Sequence, residues 1–234
     1  MFSNKVVIIT GASSGIGAET AIEFSKLDAK LVITGRNKEN LDKVATQCEE
    51  NSPKMSKPTI VIADMNNEKD VESIIQITID TFGKLDVVMN TNVRGPYHLT
   101  MLAAPHLVNT KGNIVNVSSV TGLRSFPNVL AYCMSKSALD QFTRCVSLEL
   151  APKGVRVNAV NPGVITTGIH IKSSMNKEDY EIFLKKCADT HALRRAGDAK
   201  EVASVIVFLS SEGASNITGA TLPVDGGRHA MCPR

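Results

Sequence analysis

Lys5-Val6-Val7-Ile8-Ile9-Thr10-Gly11-Ala12-Ser13-Ser14-Gly15-Ile16-Gly17 joins a short β-branched run to a turn with three glycines, and a helix-like segment, Ile16 to Leu27, follows. A short, continuously apolar run suits a strand buried on both faces of a parallel sheet. Glycines after it allow a tight turn and let a diphosphate approach the backbone closely. The helix start then offers free amides and a partial positive charge to phosphate. Gly11, Ser13, Ser14, Gly15, Ile16 and Gly17 are therefore candidate cofactor-binding residues. A merely structural turn would serve the same glycines, but the strand–turn–helix context favours a dinucleotide.

Working outward, the pattern repeats. Lys30 to Thr34, Thr59 to Ala63, Leu85 to Met89, Asn113 to Val117 and Val155 to Val160 are short apolar runs followed by turn residues. Between them lie helix-like segments at Lys38 to Glu50, Glu68 to Phe82, Tyr97 to Leu107 and Ala131 to Leu150. Strand and helix in alternation predict one α/β domain over residues 1–234, a doubly wound, Rossmann-like parallel sheet with helices on both faces. Gly168 to Thr190 is a less regular insertion, with Ile169, Ile171, Met175, Tyr180 and Phe183 as apolar residues that would line a pocket or pack a short helix.

Composition excludes several classes of function. The net charge is only +3, without a basic stripe, so nothing points to nucleic acid. No apolar run reaches the ~18 residues of a membrane span, and the first residues lack a signal-peptide layout. Five cysteines without a Cys-x-x-Cys pair support neither zinc nor a disulfide framework. A cytoplasmic protein with reduced thiols is the expectation. His170 and His191 have no partners at metal-ligand spacing and read as surface or loop residues.

The second strand ends Thr34-Gly35-Arg36, where a site for NAD would carry an acid for the ribose 2′-hydroxyl. The Arg36 guanidinium suits a 2′-phosphate instead, so NADP(H) is favoured over NAD(H). Asp64, after the third strand, either accepts from the adenine amino group or caps the next helix. Tyr132 and Lys136 stand four residues apart on one helix face. An ammonium so placed is expected to lower the phenol's pKa and make Tyr132 a usable acid or base.

With the glycine turn and the Tyr132/Lys136 pair together, the chain resembles the classical short-chain dehydrogenase/reductase family from about Lys5 to Gly227, and looks most like its 3-oxoacyl-[acyl-carrier-protein] reductases. Asn116-Val117-Ser118-Ser119 resembles the family's serine strand, with Ser119 thirteen residues before Tyr132. Asn161-Pro162-Gly163-Val164-Ile165-Thr166-Thr167 resembles the segment beside the nicotinamide, and Val224-Asp225-Gly226-Gly227 the C-terminal signature. The resemblance implies hydride transfer between the cofactor and a carbonyl or secondary alcohol, a small-molecule substrate. Tyr132, Lys136, Ser119 and the relay residue Asn92 would be catalytic. Pro162, Gly163, Ile165 and Thr167, with Tyr132 and Lys136, would complete the cofactor site. It also implies a homotetramer built on the two long helices and the strand near Ala220 to Val224.

One departure stands out. The family ends its fourth strand in Asn-Asn-Ala-Gly, then a loop of roughly twenty residues leads to the helix bearing the relay asparagine; long loops beside active sites are common. Here Lys84-Leu85-Asp86-Val87-Val88 runs into Met89-Asn90-Thr91-Asn92-Val93-Arg94-Gly95, which reads as the interior of that helix. A segment is missing near residues 88–91, as a true deletion, a variant or an incomplete sequence. The other reading of function is therefore a catalytically impaired reductase scaffold that binds or assembles.

Overall fold

The computed structural model describes residues 2–91, 94–167 and 177–231. Strands β1 (Val6–Thr10), β2 (Lys30–Gly35), β3 (Thr59–Ile62), β4 (Val87–Thr91), β5 (Asn113–Val117), β6 (Arg156–Pro162) and β9 (Thr221–Val224) form one parallel sheet in the order β3-β2-β1-β4-β5-β6-β9. Two-residue strands β7 (Ile165–Thr166) and β8 (Gly197–Asp198) pair beside it. The helices are α1 (Gly15–Lys26), α2 (Lys38–Asn51), α3 (Glu68–Phe82), α4 (Arg94–Thr110), α5 (Val120–Leu123), α6 (Leu130–Leu150), α7 (Lys177–Lys185), α8 (Cys187–Thr190) and α9 (Ala199–Ser210).

Side chains alternate across a strand, so each consecutive apolar pair in β1 feeds two cores. Val7 and Ile9 join Phe24, Leu41, Ile206 and Leu209 under α1, α2 and α9. Val6 and Ile8 join Ile74, Leu99, Leu107 and Leu150 under α3, α4 and α6. All five residues of β1 are buried, which is why its sequence is a run rather than an alternation.

The doubly wound expectation holds, with three differences. Helix α9 was not foreseen, although Asp198 and Glu201 form a capping box before Val202, Ile206 and Leu209. The fourth strand lies two residues later than read, and Met89, Asn90 and Thr91 are strand, paired with Val115, Asn116 and Val117. They were expected inside the following helix; the β-ladder to β5 takes them instead, and α4 starts only at Arg94. His191, read as a surface or loop residue, is 1% exposed. Its Nε2 faces the Val164 amide at 3.4 Å, so it is buried behind the segment after β6. Among the described residues no helix is long and apolar enough to cross a membrane.

Two glycines separate backbone strain from crowding. A Cβ on Gly83, the α3 cap at φ 70°, meets open space, whereas one on Gly112 would lie 2.2 Å from the Asp86 carbonyl oxygen. Gly83→Ala should therefore lower stability by about 1–2 kcal/mol, the cost of a left-handed residue. Gly112→Ala must displace β4 against α4 and should cost more, up to about 3 kcal/mol. Urea unfolding of both variants checks the order, and equal losses would contradict it.

Candidate active site

The glycine turn has the shape that its sequence requires. Gly11 and Gly15 have φ 66° and 59°, and a Cβ on Gly17 would sit 2.4 Å from the Gly11 oxygen. Ala12 donates to the Thr34 oxygen at 3.0 Å, fixing the turn to the end of β2. Ser14 takes the N-cap position of α1 but makes no side-chain cap bond, and Ile16 packs on the core beneath. A Cβ on Gly35 would touch Ser13 at 3.4 Å, so the turn and the end of β2 are neighbours. Arg36, next in the chain, is exposed and has no acceptor among the described residues. The cradle that any Cβ would fill fits a diphosphate.

Asp64 does not cap α3. Its Oδ1 accepts from the Asn66 amide and side chain at 2.9 and 3.1 Å, and Asn67 caps the helix. Two residues, Met65 and Asn66, separate Asp64 from the N-cap Asn67, which puts the carboxylate out of capping register.

The segment after β6 reaches the same edge. Gly163 donates to the Val224 oxygen at 3.1 Å, and a Cβ there would press on the Asp225 Cα at 2.9 Å. Pro162 ends β6 opposite Val224, and Ile165 is buried in β7. Thr167 follows, with its Cγ2 at 3.2 Å from the position of a Gly15 Cβ. Tyr180 of α7 is buried and donates its hydroxyl to the Thr167 oxygen at 3.3 Å. Phe183 is half-buried on the same helix. Ile169, His170, Ile171 and Met175 lie outside the described residues, as does Asn92.

Ser118 and Ser119 follow β5 and are both buried. Ser118 donates to the Lys136 oxygen at 3.2 Å, a tie between strand and helix. Ser119 accepts from the Thr121 amide at 3.2 Å, capping α5, and its side chain is close enough to Tyr132 to act on its ionisation. Lys136 is 5% exposed. Its ammonium donates to the Val117 oxygen at 2.9 Å and stands 5.6 Å from the centre of the Tyr132 ring. The three side chains therefore lie together where β5 ends, with Ser119 at the start of α5 and Tyr132 and Lys136 in the first turns of α6.

Their electrostatics differ from the expectation. Burial raises the Tyr132 pKa, and the Ser119 side chain only partly opposes it. Solvent reaches the ring, 47% exposed overall, while protein crowds its surroundings. Burial also pushes the Lys136 pKa down to about 8, against the pull of Asp140. Desolvation of each charged form thus outweighs the attraction between them.

Sequence reading missed the support beneath. Asp140, one turn beyond Lys136, is 1% exposed, and the Asn161 amide donates to its oxygens at 3.1 and 2.9 Å. The same amide donates to the Ser119 oxygen at 2.9 Å. Burial holds the Asp140 pKa up, countered by Ser118 and Asn161. A carboxylate one helical turn beyond Lys136, next to the buried Leu139, was the available signal. Beside it, Asn90 of β4 donates to Asn116 at 3.3 Å, and Asn116 donates to Thr143 at 2.9 Å.

A cavity of about 540 Å³ lies elsewhere, lined by Lys5, Asp86, Lys111, Asn113 and Arg156. Those residues belong to the strand starts, the opposite edge of the sheet from the turn and the tyrosine.

Comparison with known proteins agrees with this fold. A family profile described as short chain dehydrogenase matches residues 5–91, and one described as Enoyl-(Acyl carrier protein) reductase matches residues 86–229. The chain is 34% identical over 245 residues to an L-xylulose reductase of Caenorhabditis elegans, covering 97% of this chain and 96% of that protein. It is 32% identical over 247 residues to a 3-oxoacyl-[acyl-carrier-protein] reductase of Thermotoga maritima, covering 95% and 97%. The structure of L-sorbose reductase from Gluconobacter frateurii, complexed with NADPH and L-sorbose, superposes with a TM-score of 0.90 at 27% identity, covering 99% of this chain and 98% of that one.

The support network yields a prediction. Asp140→Ala removes the acceptor of Asn161 and a partner of Ser118, and should lower unfolding stability by about 1–3 kcal/mol. An unchanged urea midpoint would show that the amide is satisfied by Ser119 alone.

Proposed function

The chain belongs to the short-chain dehydrogenase/reductase family, and we propose that it is an NADP(H)-dependent enzyme that interconverts a carbonyl compound and its secondary alcohol. The observation that carries this reading is the meeting of Ser119, Tyr132 and Lys136 at the sheet edge that also holds the glycine turn and Thr167. Gly11, Ser13, Ser14, Gly15, Ile16 and Gly17 would hold the diphosphate, with Pro162, Gly163, Ile165 and Thr167 beside the nicotinamide. The cofactor, when bound, supplies or accepts the hydride.

The chain's own residues handle the proton. With its pKa raised, Tyr132 is a phenol at neutral pH and so a proton donor to a carbonyl oxygen. Ser119, beside it, would orient that oxygen. Lys136, titrating at about 8, is largely charged at neutral pH and favours the phenolate left by proton transfer. Asn92 takes the relay position by resemblance. Arg36 supports NADP(H): it is an exposed cation beside the turn with no acceptor among the described residues, and the related L-sorbose reductase structure contains NADPH.

We also read the chain as lacking a segment between β4 and α4. The L-xylulose reductase alignment spans 245 residues, more than the 234 of the whole chain. One family profile ends at residue 91 and the other begins at 86. This motivates the impaired-scaffold alternative, but the grouping of Ser119, Tyr132 and Lys136 favours the enzyme. Free thiols at Cys48, Cys133, Cys145 and Cys187 support a reducing, cytoplasmic setting.

The test uses NADPH oxidation with diketones, quinones and 3-oxoacyl thioesters. Tyr132→Phe should lose about a hundredfold or more in turnover while still binding NADPH. Arg36→Ala should weaken NADPH by about 1.5–3 kcal/mol and spare NADH. Cofactor binding without turnover across the panel would favour the scaffold, and an unselective Arg36→Ala would remove the NADP(H) preference.

A homotetramer is proposed from the outer faces of α4 and α6. Leu139 and Leu150 are buried in the chain's own core, whereas Tyr97, Met101, Leu130, Met134 and Leu148 are exposed. At 77% exposed, Leu148 is costly to leave in water, and covering it calls for a second copy. Light scattering should give four chains per particle; a monomer at micromolar concentration would overturn this.

A further inference from the structure

The chain's last strand leads into a turn that the reaction leaves unexplained. Asp225 is buried and accepts from the Gly227 amide at 3.0 Å, the His229 amide at 2.6 Å and His229 Nδ1 at 3.0 Å. Gly226 and Gly227 have φ 60° and 80°, and a Cβ on Gly227 would sit 2.8 Å from the Ala192 Cβ. The turn is therefore clamped against residues 191–193, and the next side chain, Arg228, has little freedom of placement. Its guanidinium carbon lies 4.6 Å from the centre of the Phe126 ring. Phe126 is in the loop between α5, which begins after Ser119, and α6, which carries Tyr132.

Arg228 differs from the chain's other anchored arginines. Arg195 is paired with Glu201, and Arg156, half-buried like Arg228, donates to the Leu209 and Ser211 oxygens. Arg228 has no acceptor among the described residues, and its Nε is buried without a partner. Asp225 is near enough to interact electrostatically, but its oxygens serve Gly227 and His229. The stretch from 168 to 176 contains no Asp or Glu. A half-buried cation without an acceptor is costly, and an anion that binds it relieves that cost.

We propose that Arg228, stacked on Phe126, is the anchor for a carboxylate on the substrate, so that the natural substrate is an oxo acid or the matching hydroxy acid. A guanidinium fork matches a carboxylate with two parallel hydrogen bonds, and the aromatic face fixes its plane. This rests on the oxidoreductase reading and narrows it from any carbonyl compound to an acidic one.

The experiment compares 2-, 3- and 4-oxopentanoate with their methyl esters, as substrates with NADPH and as ligands by calorimetry. Wild type, Arg228→Leu and Arg228→Lys are measured alongside. In wild type at least one acid should exceed its ester about tenfold or more in kcat/KM and in affinity. Arg228→Leu should bring that ratio to near one, and Arg228→Lys should keep part of it. NADPH affinity of each variant tells a lost contact from a lost fold. Esters equal to acids throughout the series in wild type, or an acid preference that survives Arg228→Leu, would overturn the proposal. Arg228-dependent binding of the acid without any turnover would uphold the anchor and refute the oxidoreductase reading.

Discussion

Strand β1 has β2 on one side and β4 on the other, and the chain leaves it in both directions. It winds out through β2 and β3, then returns past β1 to build β4, β5, β6 and β9. Parallel strands can only be joined by crossovers, so the connections after β1 and β4 depart to opposite sides and leave a crevice at the C-terminal edge. The glycine turn lies at the end of β1, the serines at the end of β5 and Thr167 beyond the end of β6. No local interaction collects these residues. They meet because the strand order reverses there, and the two buried faces of the sheet hold the register that aims them.

The burial that stabilises the sheet also sets the chemistry. Lys136 and Asp140 sit on the inner face of α6, where solvation of a charge is lost. Lys136 responds with a pKa near 8, and Asp140 with a raised one. Each is compensated by named bonds, Lys136 to the Val117 oxygen and Asp140 to Asn161. Removing a partner would leave a buried charge or amide unsatisfied, which is why the site resists small rearrangements. Arg228 differs, for among the described residues it has a ring beside it but no acceptor.

The sheet, its winding and the catalytic trio were legible because they are written in short-range terms: apolar runs, turn glycines and fixed spacings. Glu68–Phe82 and Asn113–Val117 were read to the residue. Helix α9 is not legible although its capping box is explicit, because its apolar run Val205-Ile206-Val207-Phe208-Leu209 lacks a helical period and fits a strand as well. Asp140 and His191 were not legible as buried. Their placement depends on Asn161 and Val164, segments far away in sequence. The pKa of Tyr132, expected lowered, is raised for a related reason. Spacing on a helix gives the charge of a neighbour but says nothing of the desolvation around both groups.

The shortened passage from β4 to α4 is where fold and sequence pull against each other. β4 remains paired with β5 through Thr91, although its pairing with β1 stops at Met89. Only residues 92 and 93 then separate strand from helix. Val88 and a residue four positions on can be no farther apart than about 14 Å, at ~3.3–3.6 Å per residue. The helix must therefore begin at the sheet edge itself. Gly95 records the consequence, for a Cβ there would lie 2.7 Å from the Met65 Cβ, in the turn after β3. A longer connection would let α4 begin away from that turn; a short one draws its first turn against it, and only a residue without a side chain fits. The close approach of α4 is thus on the β3 side of the crevice. Ser119, Tyr132 and Lys136, held by β5, α5 and α6, keep their arrangement because none of their bonds passes through β4.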